Sequence, residues 1–195
     1  MPVTWKLLAI WGGLAAPPGG LAPPPPEPAL PAAVRRLLPA GYSVLEAARG
    51  DLNRDALPDW LVVLRRPDEQ QTSRVDNHPT RRPLLLGGAG GTFTLAARTD
   101  NAVYCVYCGG MLGDPFQGLT SKQGYFTVEH YGGSAWRWTR YVAFRYEAAT
   151  RSWVLHRDNA ERFYALDPEH GTSTSRTSRN FGRVPLAQFD IYREK

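Results

Sequence analysis

A chain of 195 residues with 43% hydrophobic residues, nine Tyr, seven Phe and six Trp suffices for one domain with a real core and an extension. The formal charge is +5, yet 20 of its 23 cations are Arg, scattered among Ala, Gly and Pro with no long run. Phosphate tracking needs a clustered basic stripe, so nucleic acid is disfavoured as a partner.

The first element is an export signal. Lys6 supplies a positive charge, and Leu7 to Ala16 form an apolar stretch that ends in small residues. Ten residues are too short for the about 20 that span a bilayer as a helix, and they fit a cleavable signal peptide over residues 1–16. No Cys follows to carry a lipid anchor, and no later stretch would leave the mature chain a transmembrane segment. Residues 17–30, with four consecutive prolines at 23–26, read as an extended Pro-rich linker. A single domain is expected over 31–195, in the periplasm or secreted.

Pro31 to Leu38 predict a short opening helix, closed by Pro39 and Gly41. Tyr42 to Arg49 and Trp60 to Arg65 predict two strands around an acidic loop, and the polar residues 67–82 a further loop. Residues 83–86 and 92–97 predict strands joined by the glycine-rich turn 87–91. That turn lacks the Lys-Ser/Thr and the helix of a phosphate loop.

Residues 124–158 carry the strongest periodicity. With Gly132-Gly133-Ser134 as a three-residue turn, Glu129 faces Arg137, His130 faces Trp136 and Val128 faces Trp138. Phe126, Val128, His130, Trp136, Trp138, Val142, Phe144 and Tyr146 then share an apolar face, joined by Trp153 and Leu155. Tyr125, Thr127, Glu129, Arg137, Thr139, Tyr141 and Arg145 share the other, with Tyr125 opposite Tyr141. Residues 171–180 predict a flexible polar loop, and 181–192 a segment docked on the core. The fold class is mainly β, α+β at most: an antiparallel meander of hairpins with a short N-terminal helix.

The loop Asp51-Leu-Asn53-Arg-Asp55-Ala-Leu-Pro-Asp59 places oxygen-bearing side chains at positions 1, 3, 5 and 9. Calcium takes six to eight oxygens from a flexible cage. An EF-hand is excluded, because its sixth-position Gly and twelfth-position Glu are Ala56 and Val62 here. An Asx-rich turn, with carboxylates capping backbone amides, is the alternative. The pattern resembles the calcium loop of FG-GAP and VCBS-type repeats, in which the ninth-position Asp leads into a strand. That resemblance implies Ca2+ held by Asp51, Asn53, Asp55, Asp59 and the carbonyl of Leu57. With the aromatic hairpins that follow, it extends to a group of bacterial exported proteins, and it implies no activity. A single such loop argues against a complete propeller.

Cys105-Val-Tyr-Cys108 is the only cysteine pair. In an oxidising compartment a local disulfide is expected; a redox pair or half of a zinc site are the alternatives. Glu129, His130, Ser134 and Arg137 could suggest acid/base or Ser/His chemistry. The hairpin register separates Glu129 from His130 and assigns Ser134 to a turn, so no catalytic set is predicted. Tyr131, Trp136 and Arg137 at the tip, with Tyr125 and Tyr141 on the outer face, are candidate ligand contacts.

The expectation is therefore an exported, non-enzymatic β-domain with a structural calcium loop, binding a protein or glycan of the cell envelope. The alternatives are an envelope hydrolase or thiol oxidoreductase, and an inhibitor or immunity protein that blocks a partner enzyme with loop 101–118 or 130–136.

Overall fold

The computed structural model describes residues 28–71, 84–88 as backbone, and 93–193. The expected signal peptide, nearly all of the linker and most of loop 67–82 lie outside them. A one-turn helix α1 (Ala32–Arg35) precedes nine strands: β1 (Ser43–Gly50), β2 (Asp59–Arg65), β3 (Leu84–Gly88), β4 (Thr94–Thr99), β5 (Phe116–Lys122), β6 (Tyr125–Gly133), β7 (Trp136–Glu147), β8 (Ser152–Tyr164) and β9 (Asp167–Thr177). A short helix, α2 (Ser178–Phe181), follows the last strand. The mainly β antiparallel class is as expected. No described helix is long and apolar enough to cross a membrane.

The strands form two antiparallel meanders, β1-β2-β3-β4 and β5-β6-β7-β8-β9. β2 is buried on both faces, which explains its unbroken run of apolar residues. Leu61 and Val63 face the main core, with Phe126, Val128, Val142, Phe144, Trp153 and Leu155 of the second sheet. Val62 and Leu64 face a smaller cluster with Leu30, Val34 and Val44. The segment from 184 to 191 closes the main core with Val184, Leu186, Phe189 and Ile191, as its return to apolar residues predicts.

Two expectations are corrected. β6 and β7 pair with Gly133 opposite Arg137, which sets Glu129 opposite Tyr141, His130 opposite Arg140 and Val128 opposite Val142. Tyr125 lies opposite Arg145, so Tyr125 and Tyr141 are not partners. The turn is Ser134-Ala135-Trp136, closed by Ser134 N–H to the Trp136 carbonyl at 2.9 Å. Gly133 enters it with φ +115°, where a Cβ would strike the Trp136 carbonyl. The slip is even, so residues inside the paired strands keep their expected face, but Trp136, expected on the apolar face, stands at the hairpin tip and is 51% exposed. Secondly, most of residues 171–180 is the edge strand β9, paired along β8 from Arg157↔Thr177 to Tyr164↔Asp167, and not a loop.

Candidate calcium loop and recognition surfaces

Loop 51–59 is wound by its own side chains. The N–H of Asp55 donates to Asp51 Oδ1 at 3.1 Å and Asn53 Oδ1 at 3.0 Å. Ala56 N–H donates to Asp51 Oδ2 at 3.2 Å, and Leu57 N–H to Asp55 Oδ1 at 2.8 Å. Asn53 Nδ2 donates to Asp55 Oδ2 at 2.9 Å. The winding requires left-handed backbone at Arg54 (φ 63°) and Ala56 (φ 67°). Asp59 is 2% exposed and caps the loop from below: its Oδ2 accepts the N–H groups of Leu52 at 2.8 Å and Asn53 at 3.2 Å. Leu57 turns its side chain to solvent.

This is an Asx-turn network, and its donor chemistry also suits a hard cation. Asp51, Asn53 and Asp55 are gathered around shared N–H groups. A carboxylate oxygen that accepts one hydrogen bond keeps a lone pair for a metal. Among the described residues no three His, Cys, Asp or Glu side chains gather closely enough to hold a metal on their own. A calcium ion here would therefore need the Asn53 amide oxygen and backbone carbonyls beside the carboxylates. The loop is tied to the second sheet by Gly124 N–H to the Asp51 carbonyl (2.7 Å) and Trp153 Nε1–H to the Leu52 carbonyl (3.0 Å).

At the opposite end of that sheet, three turns meet. Cys105 and Cys108 are joined in a disulfide. The following turn at 109–113 is held to the β6–β7 hairpin by Gly133 N–H to the Gly109 carbonyl at 2.8 Å. The β8–β9 turn bonds the same hairpin through Ala165 N–H to the Ala135 carbonyl at 2.8 Å. Met111, Leu112, Trp136, Tyr164 and Leu166 stand exposed here, Met111 and Leu166 almost fully. Trp136 packs on Tyr164 with ring centroids 5.6 Å apart, and Arg162 lies 5.3 Å above the Trp136 ring.

The predicted contact residues do not form one patch. Tyr125 lies beside the acidic loop, with the Arg54 guanidinium 5.5 Å from its ring centre. Trp136 belongs to the turns at the far end. Tyr131, Arg137 and Tyr141 share the outer face of β6 and β7 with Thr139, and Asn159 of β8 stands opposite Tyr141. On that face Arg137 Nη1, Thr139 Oγ1 and Asn159 Oδ1 are buried atoms with no hydrogen-bond partner. The sequence does not single out Thr139 and Asn159, since this cluster arises only where three strands lie side by side.

The acid/base candidates are committed elsewhere. Glu129 accepts the Thr120 hydroxyl at 2.5 Å on the outer face, in place of the expected Arg137. His130 is 1% exposed on the inner face, where its Nε2 accepts the N–H of Tyr104 at 3.3 Å. That bond places the neutral ring's proton on Nδ1.

No family model matches the chain, and no solved structure does. It is similar to the protein transport protein Sec16B of Mus musculus, 32% identical over 118 residues, which is 59% of this chain and 9% of that protein. The chain thus spans under a tenth of that relative's length.

Proposed function

We propose that the protein is an exported, non-catalytic recognition domain that binds a glycan of the cell envelope with the outer face of its five-stranded sheet, and whose loop 51–59 takes up calcium as a structural ion. The observation that carries the recognition reading is the set of three unpartnered polar atoms, Arg137 Nη1, Thr139 Oγ1 and Asn159 Oδ1, on the face that carries Tyr131 and Tyr141. Buried polar groups are ordinarily satisfied, and each exception calls for a partner. Sugars offer hydroxyls that donate and accept, and C–H faces that lie on aromatic rings. In the loop, Asp51, Asn53, Asp55 and Asp59 would hold the ion, neutralising carboxylates that repel one another. Export is supported by the apolar stretch at 7–16 and accords with the disulfide.

Co-sedimentation with purified envelope polysaccharide and with cell-wall sacculi tests the recognition reading. Binding lost in Tyr141→Ala and Arg137→Gln, both with unchanged melting, is the expected result; no binding to either material removes it. Melting across a calcium titration, with EGTA and magnesium controls, tests the loop. A saturable rise in calcium alone, lost in Asp51→Ala, is expected, and a flat response at millimolar calcium rejects the ion.

A second reading, an inhibitor that docks on a partner protein, is favoured by Met111, Leu112, Trp136, Tyr164 and Leu166 exposed on adjoining turns. Retained glycan binding in Trp136→Ser with Leu166→Ser separates the two surfaces.

A further inference from the structure

The unpartnered polar atoms of the outer face form a row rather than a point. Arg137, Thr139 and Tyr141 follow one another on that face of β7, and Asn159 of β8 lies opposite Tyr141. Alternate residues of a strand are about 7 Å apart, so the row from Arg137 to Asn159 runs for about 13 Å. That exceeds one pyranose ring and suits linked sugars lying along β7.

The row changes in charge along its length. Arg137 stands between Gly133 of β6 and Phe163 of β8, and neither has a polar side chain to offer it. Its Nη1 is buried without a hydrogen-bond partner, and among the described residues no carboxylate pairs with it. A charged group withdrawn from water is ordinarily paired, and a planar carboxylate meets a guanidinium with two parallel hydrogen bonds. In the middle of the row Thr139 stands between Tyr131 and an exposed Glu161. A carboxylate at that place accepts sugar hydroxyls and repels a second acid. Glu129, beside Tyr141, is already spent on the Thr120 hydroxyl.

We propose that the glycan read by this face is an acidic heteropolysaccharide. A uronic acid unit sets its carboxylate on the Arg137 guanidinium, and the neutral unit linked to it lies over Thr139 with its hydroxyls toward Glu161 and Asn159. The inference rests on the glycan-binding reading above and adds to it the charge and the order of the sugar units.

Isothermal titration of the full chain tests it, in EGTA so that calcium cannot bridge the acids to loop 51–59. The probes are tetrasaccharides of hyaluronan and of chondroitin, in which glucuronate alternates with a neutral N-acetyl sugar. Their carboxyl-reduced forms and tetragalacturonate are the controls. Saturable binding of at least one alternating acid is expected, about tenfold or more tighter than its reduced form, as one charge-assisted contact implies. Arg137→Gln should erase that difference with melting unchanged. Glu161→Gln, which keeps an oxygen acceptor and removes the charge, should admit tetragalacturonate. A reduced form that binds as tightly as its acid overturns the proposal, and so does tetragalacturonate that binds the parent chain as tightly as the alternating acids. The absence of saturation by either alternating acid up to about 10 mM also overturns it. Co-sedimentation with envelope polysaccharide then shows whether the glycan-binding reading stands without it.

Discussion

The carboxylate of Glu46 on β1 accepts the backbone N–H of Leu119 on β5 at 2.9 Å, so a side chain takes the place of a strand partner where the two sheets meet. Gly118 makes room for it: its φ is +151°, and a Cβ there would lie 3.4 Å from Glu46 Oε1. Ser121 completes the seam with a hydroxyl donated to the Arg49 carbonyl at 3.2 Å.

Burial pushes the Glu46 carboxyl above its ordinary value, the Leu119 N–H pulls it back in part, and nearby Glu129 adds to the rise. A carboxylate whose folded pKa lies above its unfolded one binds its proton more readily in the native state. Its charge therefore works against folding at neutral pH, and this opposition disappears as pH falls through the folded pKa to the unfolded value near 4.5. Glu46→Gln keeps an acceptor for Leu119 and should match or exceed the parent's stability at pH 7, with the gain shrinking toward pH 4. Glu46→Ala leaves the N–H unpaired and should cost about 1 kcal/mol near pH 4, and less at pH 7, where loss of the unfavourable charge offsets part of it. Urea unfolding between pH 4 and 8 reads both.

Ala56 is held at φ 67°, a conformation that costs a residue with a Cβ about 1 kcal/mol more than glycine. Ala56→Gly should therefore raise the melting temperature by about 2–4 °C. The same change should tighten calcium in the proposed loop, since the wound form is favoured before the ion arrives. Lower melting in EGTA would contradict this account of the loop.

Two aspartates of that loop should separate by condition. Asp59→Ala removes the buried acceptor for Leu52 and Asn53 N–H groups and should cost about 2 kcal/mol even in EGTA. Asp55→Ala acts at the surface and should cost much less in EGTA, with its larger effect confined to calcium-containing buffer.

Arg140→Leu strands Asp158, the Tyr104 hydroxyl and the Ile191 carbonyl together. Loss of one partner of a pair this enclosed costs about 3–5 kcal/mol. Arg140→Leu with Asp158→Leu should recover part of that loss, because no lone charge remains. A double variant as unstable as the sum of both single variants would show that the two residues act independently.

The disulfide ring at Cys105–Cys108 is short, so its removal by paired Ser substitution should cost about 2 kcal/mol or less in the chain-entropy account. Melting with and without reductant measures it. Collapse of the whole fold on reduction would mean that the turn at 109–113 organises the sheet end rather than decorating it.

Much of this architecture was legible in the sequence because hydrophobic period is a local property. β6 to β8 were found from alternation, and loop 51–59 from its oxygens. The β6–β7 register was not, because a slip by an even count leaves each side chain on its own face, and alternation alone cannot detect it. The cue was Gly133, whose φ fixes where the strand ends. β9 was read as a loop since its Thr and Ser residues are solvated on both faces, so no apolar alternation marks it. The pairing of Glu129 with Thr120 lay equally beyond reach: it depends on which strand comes to lie beside β6. So did the three unpartnered polar atoms, which depend on the neighbours of β7 and β8.

Arg140 gathers one strand of the sheet, the stretch before the disulfide and the segment through Ile191, while Ile191 N–H bonds the Asn101 carbonyl at 2.8 Å. Of all the pieces that seal the main core, residues 184–191 are the last to be synthesised. A ribosome that has produced both sheets has therefore made a chain whose central guanidinium still lacks its Ile191 acceptor and whose core is open along one side. Native closure of the main core waits for this final stretch, the one that carries Val184, Leu186, Phe189 and Ile191.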